Sequence, residues 1–226
     1  ISMAYPEKNP VYSIGDIRDQ EKRKWTLYVN GKKFDSSVKT VLLTSQFGEF
    51  QYGWREGYDG WVFREASGGG AITIPYFITP ERQLYVGLVK ENRPNMGPDP
   101  VWCATGGFVD PGESHAQTQI RETAEEVGLD SRQAIELDGY PLNGNRAFFV
   151  TNPHSGEGVR VYGLYLPFSD LERVDNKHKI IAGRQLNHKS ATNLGFFPWK
   201  EVVCYADALA GAGIIRVVAK EYENIV

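Results

Sequence analysis

Residues 107–129 read GFVDPGESHAQTQIRETAEEVGL, and the rest of the chain is organised around them. The first half, with Pro111 and Gly112, is a loop. The second half is a helix with both ends marked. Ser114 followed three residues later by Gln117 forms a capping-box pattern, and Gly128 stands where a left-handed cap stops the helix. At 100° per residue Ala116, Ile120, Ala124 and Val127 share one stripe, which is expected to pack inward. Glu122, Glu125 and Glu126 then share the opposite face. That cluster is locally unfavourable, because like charges three and four residues apart repel by roughly 0.2–0.5 kcal/mol per pair. The helix dipole also disfavours negative charge in its C-terminal half. An isolated cluster of this kind reads as a solvated acidic face. The functional reading is a hard-cation site, since Mg²⁺ takes oxygen ligands from a few carboxylates together with substrate phosphates.

The full spacing separates the two. Gly107 is followed after five residues by Glu113, then after seven by Arg121-Glu122, then by Glu125-Glu126 and Gly128. At average residue usage, seven such matches arise by chance on the order of once in a million chains. The segment resembles the Nudix box, G-x5-E-x7-R-E-U-x-E-E-x-G-U, with Leu129 in the last hydrophobic position. Thr123 stands where the first aliphatic residue is usual, a departure expected to leave the chemistry alone.

Composition narrows the rest. The chain has 226 residues and carries 25 Lys and Arg against 28 Asp and Glu, for a net charge of −3. It therefore lacks the basic excess of a general nucleic-acid binder. Cys103 and Cys204 have no paired spacing, which gives neither a zinc site nor a disulfide framework, and both are expected to be reduced and mostly buried. No stretch is apolar for long enough to span a membrane, and no signal peptide is visible, so the expected location is cytoplasmic.

Residues 1–67 read as a small antiparallel β region. Trp25–Val29 is a strand pattern, Asn30-Gly31 a hairpin turn, Val38–Leu43 another strand, and Phe47–Trp54 and Trp61–Phe63 are aromatic-rich. Gly68-Gly69-Gly70 is a turn without the Gly-Lys-Ser/Thr of a P-loop. Ala71–Ile78 and Leu84–Lys90 read as central strands buried on both sides. A Pro-rich loop, 91–100, leads to a short strand, Val101–Ala104. Ala147–Thr151 and Val159–Pro167 read as further strands. Phe168–Asn193 is long, polar and poorly patterned, and a loop of that size is functional or mobile. Gly195–Trp199 leads to a C-terminal helix over 205–222, with Leu209, Ala212, Ile215, Val218, Ala219 and Tyr222 on one side and Gly211 and Gly213 weakening it.

Alternating strands and helices argue an α/β layer fold. The resemblance implies a Nudix α/β/α sandwich with a mixed central sheet over 68–226. The β-rich leader and the Lys90-Glu91-Asn92-Arg93-Pro94 run are similar to the ADP-ribose and ADP-sugar pyrophosphatases of that superfamily, in which the leader often pairs with a second subunit. A homodimer through the N-terminal region follows as an expectation. That subfamily has Pro-Ala-Gly before the box, where this chain has Thr105-Gly106-Gly107.

The resemblance further implies a Mg²⁺- or Mn²⁺-dependent pyrophosphohydrolase acting on a nucleoside diphosphate joined to another group. ADP-ribose or an ADP-sugar is the first choice. A nucleoside triphosphate, a dinucleoside polyphosphate or NADH is the alternative, and a nucleotide-sensing module without catalysis is the rival of another class. Glu122 and Glu126 are the implied metal ligands, with Glu125 a direct or water-mediated one and the Gly106 carbonyl completing the set. Glu113 and Arg121 are implied to form a salt bridge that holds the loop to the helix, a supporting role. For the general base the long loop offers Glu172 first, then Asp170 and Asp175. His178 and His188 read as surface residues, having no partner visible in sequence. Arg93 is the candidate for substrate phosphate. Tyr28, Phe50, Tyr52 and Trp54 are aromatic residues of the kind that stack on a base, although such residues more often form core.

Overall fold

The computed structural model describes residues 69–93, 97–137, 158–181, 183–186, 193–204 and 206–226, together with the backbone of six strands within 12–65. The chain divides into two compact units, Ile1–Ala66 and Ser67–Val226.

In the first unit the strands form two antiparallel three-stranded sheets rather than the single sheet expected. One contains β1 (Tyr12–Ile14), β2 (Leu27–Val29) and β3 (Lys32–Phe34). Val29 pairs with Lys32, so β2 and β3 flank the Asn30-Gly31 dipeptide. The other contains β4 (Thr40–Ser45), β5 (Gly48–Arg55) and β6 (Tyr58–Glu65).

The second unit is built on a mixed sheet. Its strands are β7 (Gly70–Ile78), β8 (Leu84–Glu91), β9 (Val101–Cys103), β10 (Thr105–Phe108), β11 (Ile135–Glu136), β12 (Val159–Tyr165) and, after a hairpin, β15 (Leu194–Pro198). The path is β11-β12-β7-β8-β15, with β12 parallel to β7 and the other pairs antiparallel. β7 and β8 pair only where they are joined, at 76–78 and 84–86. Toward their other ends β9 pairs with β8 and β10 with β7, so the segment 101–108 fills the gap between them.

Period-two alternation gives each central strand two buried faces. Ile72, Ile74 and Tyr76 of β7, with Leu84, Val86 and Leu88 of β8, form one core layer, covered by α3 (Ala208–Ile225) with the short α2 (Trp199–Val202) beside it. Phe77, Val89, Cys103 and Leu164 form the other layer with Val127 and Leu129, at the end of α1 (His115–Val127). Both expected central strands are therefore present, within one residue at each end. The cysteines are unpaired, Cys103 buried and Cys204 exposed, so the second differs from the expectation. Among the described residues no helix is long and apolar enough to cross a membrane.

Two expectations are corrected here. The first concerns the inward face of α3. Ala210, Gly213, Ile214, Val217 and Glu221 are buried, whereas Ile215 and Tyr222 are 50% and 58% exposed. Gly213 is the reason: a Cβ there would lie 2.7 Å from Ile74 Cγ1, so the missing side chain is what lets the helix approach β7. Glu221 is admitted to the interior because its carboxylate accepts from Tyr76 Oη at 2.8 Å and from Asn224 Nδ2 at 2.6 Å. The second concerns Phe168–Asn193. Its described part is a 3₁₀ turn at Phe168–Asp170 followed by a hairpin of β13 (Leu171–Val174) and β14 (Lys177–Ile180). Asp175 and Asn176 both have positive φ, 51° and 61°, as a two-residue type I′ turn requires. The expected strand Ala147–Thr151 lies outside the described residues, as does His188.

Candidate active site

α1 starts and stops where its sequence says. Ser114 has extended backbone; its Oγ accepts from Gln117 N–H at 3.3 Å, and its own N–H donates to Gln117 Oε1 at 2.8 Å. Gly128 closes the helix at φ 69°, and its N–H and that of Leu129 serve the Ala124 and Thr123 carbonyls. The inward face, however, is not the apolar stripe. The buried residues are Thr118, Gln119, Thr123 and Val127, and Ala116 is exposed. This face is rotated from the expected one toward Glu122 and Glu126. Those two carboxylates consequently flank the buried face instead of opposing it, and only Glu125 points well out, with its side chain 63% exposed.

β10 receives them. Glu126 Oε2 accepts from the Gly106 N–H at 2.9 Å. Burial pushes the Glu126 carboxyl up to about 8; the Gly106 N–H opposes this, and the neighbouring Glu91 and Glu122 charges add to it. Gly106 itself has φ 149°, and a Cβ there would meet the Ala71 carbonyl oxygen at 2.1 Å, so this position admits glycine alone. At Gly107 a Cβ would fall 2.3 Å from Glu122 Oε1; the missing side chain is the space that Glu122 occupies.

Arg121 ties the set together. Its Nε and one terminal nitrogen donate to the two oxygens of Glu113, both at 3.0 Å, a bidentate pair. The other terminal nitrogen donates to Glu122 Oε1 at 2.7 Å and stands 3.7 Å from Glu125 Oε2. Glu113 also accepts from Thr118 Oγ1 at 2.8 Å. The Arg121 hydrogen bonds, with that of Thr118 behind them, hold the Glu113 carboxyl down at about 2, and Arg121 is raised in turn.

Glu91, at the end of β8, is a residue that the sequence reading passed over. It shares the sheet face of Val89, lies against Glu126, and accepts from Arg93 Nε at 3.1 Å. Strand parity was the available signal: counting two residues on from buried Val89 turns Glu91 toward α1. Arg93 is thus held beside the acidic set, its side chain 45% exposed.

Glu172 is not brought to this site. It lies on β13, opposite Lys179, and lines a cavity of about 250 Å³ with Thr79, Gln83, Tyr85, Phe168 and His178. That cavity is at the end of the sheet where β7 and β8 are joined. From Ile72, which faces Gly106 in register, to Thr79 the strand advances by roughly 3.3 Å per residue, about 23 Å along β7. A general base has to reach its proton directly or through one water. Asp170 shares the hairpin's base, where it faces Arg184 at 3.4 Å, and Asp175 is in its turn. His178 is no surface residue either: it packs edge-on against Phe77 and Tyr85, at 5.0 and 4.8 Å between ring centres.

The acidic set has the chemistry of a hard-cation site. Its donors are all oxygens, and the half-buried Glu126 carboxyl sits among other acids while accepting from the Gly106 N–H. As placed, no three His, Cys, Asp or Glu side chains among the described residues stand close enough together to hold an ion. Glu122 is turned to Arg121 and Glu126 to Gly106. The two lie four residues apart on one side of α1, where side chains are neighbours.

Comparison with known proteins gives the family. A family model, the NUDIX domain, matches residues 70–205. The chain belongs to the Nudix domain family. It is 46% identical over 39 residues to the asymmetrical bis(5'-nucleosyl)-tetraphosphatase of Rattus norvegicus, a match covering 17% of this chain and 26% of the relative's length. Among solved structures it is similar to a mutT/nudix family protein from Listeria innocua, with 19% identity, a TM-score of 0.45, and coverage of 71% of this chain and 97% of that one. It is also similar to the Nudix domain of Shewanella oneidensis NrtR complexed with ADP ribose, at 19% identity and a TM-score of 0.43, covering 70% and 90%.

Proposed function

We propose that the protein is a Mg²⁺- or Mn²⁺-dependent pyrophosphohydrolase that cleaves the diphosphate of a nucleoside diphosphate joined to a second group. The observation that carries this reading is the pairing of Glu126 with the Gly106 N–H and of Glu122 with the space left by Gly107. It puts two carboxylates of one helix turn against the strand that leads into the box. Glu122, Glu126 and the Gly106 carbonyl would hold the cation, with Glu125 direct or through water. When bound, such an ion neutralises diphosphate oxygens, lowers the pKa of water and holds the leaving phosphate.

The chain's own residues supply the rest. Arg121 and Glu113 fix the loop 107–113 to α1 so that Glu122 keeps its place. Arg93, braced by Glu91, offers a guanidinium to a substrate phosphate. With Glu172 distant, taking the proton of the attacking water falls to Glu125, the most exposed acid of α1. Water adds at phosphorus, the P–O bond to the bridging oxygen breaks, and two monophosphates leave. ADP-ribose would yield AMP and ribose 5-phosphate.

ADP-ribose or an ADP-sugar is our first substrate, from the N-terminal β region and the Lys90–Pro94 run. A dinucleoside polyphosphate is the second reading, favoured by the similarity to the rat tetraphosphatase, while Thr105-Gly106-Gly107 departs from the Pro-Ala-Gly of the first reading's subfamily. The test is a Mg²⁺-supplemented screen coupled to phosphatase over ADP-ribose, ADP-sugars, dinucleoside polyphosphates, NADH and nucleoside triphosphates. One dominant hit on the first two classes supports the first reading, and a hit on dinucleoside polyphosphates supports the second. Silence from folded protein overturns both, and binding without turnover points to a sensor.

A further inference from the structure

We propose that a buried hydrogen-bonded seam, Thr123–Thr73–Gln119, sets the rotation of α1 and so positions Glu122 and Glu126; this rests on the reading of those carboxylates as cation ligands. Three of the four buried residues of α1 are polar, which is unusual for a helix face packed on a sheet. Thr123 Oγ1 donates to Thr73 Oγ1 at 3.0 Å, and Thr73 Oγ1 donates to Gln119 Oε1 at 3.3 Å. Gln119 Nε2 donates to the Ser131 carbonyl at 3.0 Å, and Ser131 Oγ returns a bond to the Gln119 carbonyl at 3.4 Å. Thr73, Gln119, Thr123 and Ser131 are all buried, none more than 2% exposed.

Stability alone does not account for this seam. A neutral hydrogen bond adds little net stability, because the unfolded groups bond to water instead, and replacing both threonines by valines of the same shape would be nearly neutral. Direction is what the seam adds. Glu122 and Glu126 extend roughly 6 Å from the axis of α1. A rotation of about 10° therefore moves their carboxylates by about 1 Å, beyond the tolerance of a working site. Apolar area changes little over such a rotation, whereas hydrogen bonds of 3.0–3.3 Å weaken steeply. The strand end of the seam is well placed to transmit this constraint. Thr73 is adjacent to Ile72, the register partner of Gly106, whose N–H holds Glu126. The helix and the glycine that meets it are thus referred to the same two residues of β7. Thr123 stands at the box position where the family pattern has an aliphatic residue, so in this chain a hydroxyl does the orienting.

Thr105 supplies a control. It pairs with Thr73 in register and is equally buried, yet its hydroxyl has no hydrogen-bond partner. The experiment compares Thr123→Val, Thr73→Val, Thr123→Ser and Thr105→Val in the full chain. Mn²⁺ affinity is read by electron paramagnetic resonance, alongside melting temperature and, with an active substrate, the Mg²⁺ dependence of turnover. Thr123→Val and Thr73→Val are expected to weaken Mn²⁺ binding about 10-fold. The Mg²⁺ concentration for half-maximal turnover should rise in step while the nucleotide KM holds. Thr123→Ser should restore binding, and Thr105→Val should leave it at the wild-type value. Native Mn²⁺ affinity in Thr123→Val, or an equal loss in Thr105→Val, overturns the proposal. A wild type that binds no Mn²⁺ removes the metal reading itself, a different failure from a wild type that binds and is indifferent to the seam.

Discussion

At the scale of the residue, Glu126 bears the largest local cost in the site. A carboxyl pushed up to about 8 by burial among acids is held there against its own stability. Glu126→Gln keeps the size and removes the charge. We expect it to lower turnover by orders of magnitude and, in chelator at pH 9, to raise the melting temperature by a few degrees, since about 1 kcal/mol corresponds to roughly 2–4 °C in a domain of this size. Near-normal turnover would remove Glu126 from the mechanism, and an unchanged melting temperature would remove the argument about its charge. Gly107→Ala separates position from stability differently. Its new Cβ meets the end of the Glu122 side chain, which swings aside at little cost to the fold. The melting temperature should stay within about 2 °C, a shift of under 1 kcal/mol, while turnover falls at least 10-fold; a variant of native activity would show that Glu122 works from elsewhere. Both glutamates and the glycine were legible, because the box spacing names them. Glu91 was not, since one acid at a strand end stands out only when its parity is compared with the buried positions before it.

At the scale of the element, the ends of α1 were read correctly and its rotation was not. Capping is a local matter of two side chains and four backbone groups, so Ser114, Gln117 and Gly128 carry it in sequence. The buried face depends on the partner surface. Thr73 turns a hydroxyl toward α1, and that favours Thr123 and Gln119 over Ala116 and Ile120. α3 shows the same failure with the opposite chemistry: what β7 accepts is the absence of a side chain at Gly213. Helix propensity alone would make Gly213→Ala stabilising by about 1 kcal/mol. Contact with Ile74 at 2.7 Å reverses the sign. The net effect should be a destabilisation of roughly 1–2 kcal/mol, read from the urea midpoint, and a stabilised variant would contradict the close approach of α3 to β7. The hairpin of β13 and β14 was missed because Asp175-Asn176 is a weaker turn signal than Asn-Gly and its strands are only four residues long.

At the scale of the whole molecule, two acids of the site pull stability in opposite directions with pH. Glu113, held at about 2, favours the folded state fully above its ordinary value of 4.5, and that contribution is lost as the pH falls toward 2. Glu126, pushed up to about 8, favours the folded state below 4.5, and its contribution is lost as the pH rises from 4.5 through 8. In chelator the melting temperature should therefore fall on both sides of a maximum near pH 4–5. The alkaline fall should be absent in Glu126→Gln, and the acid fall should be shallower in Glu113→Gln. Saturating Mg²⁺ should flatten the alkaline limb, because a cation replaces the proton on Glu126. A limb unaltered by its own substitution would show that other groups set that side of the profile.

Sequence by itself determined the chemistry available: the spacing of Gly107, Glu113, Arg121, Glu122, Glu125, Glu126 and Gly128, the caps of α1, and two strands apolar on both faces. These are properties of neighbours along the chain, encoded by period and by local hydrogen bonding. Tertiary structure decided which of those groups meet. Glu172 lies away from Gly106 and its glutamates because they sit at opposite ends of β7. Glu91 joins Glu126 because β9 and β10 fill the gap between β7 and β8 at the site's end. α1 presents its glutamates to Gly106 and Gly107 because a buried threonine on a distant strand selects its rotation. Rotation and distance are set by contacts between segments far apart in the chain, and no local pattern carries them.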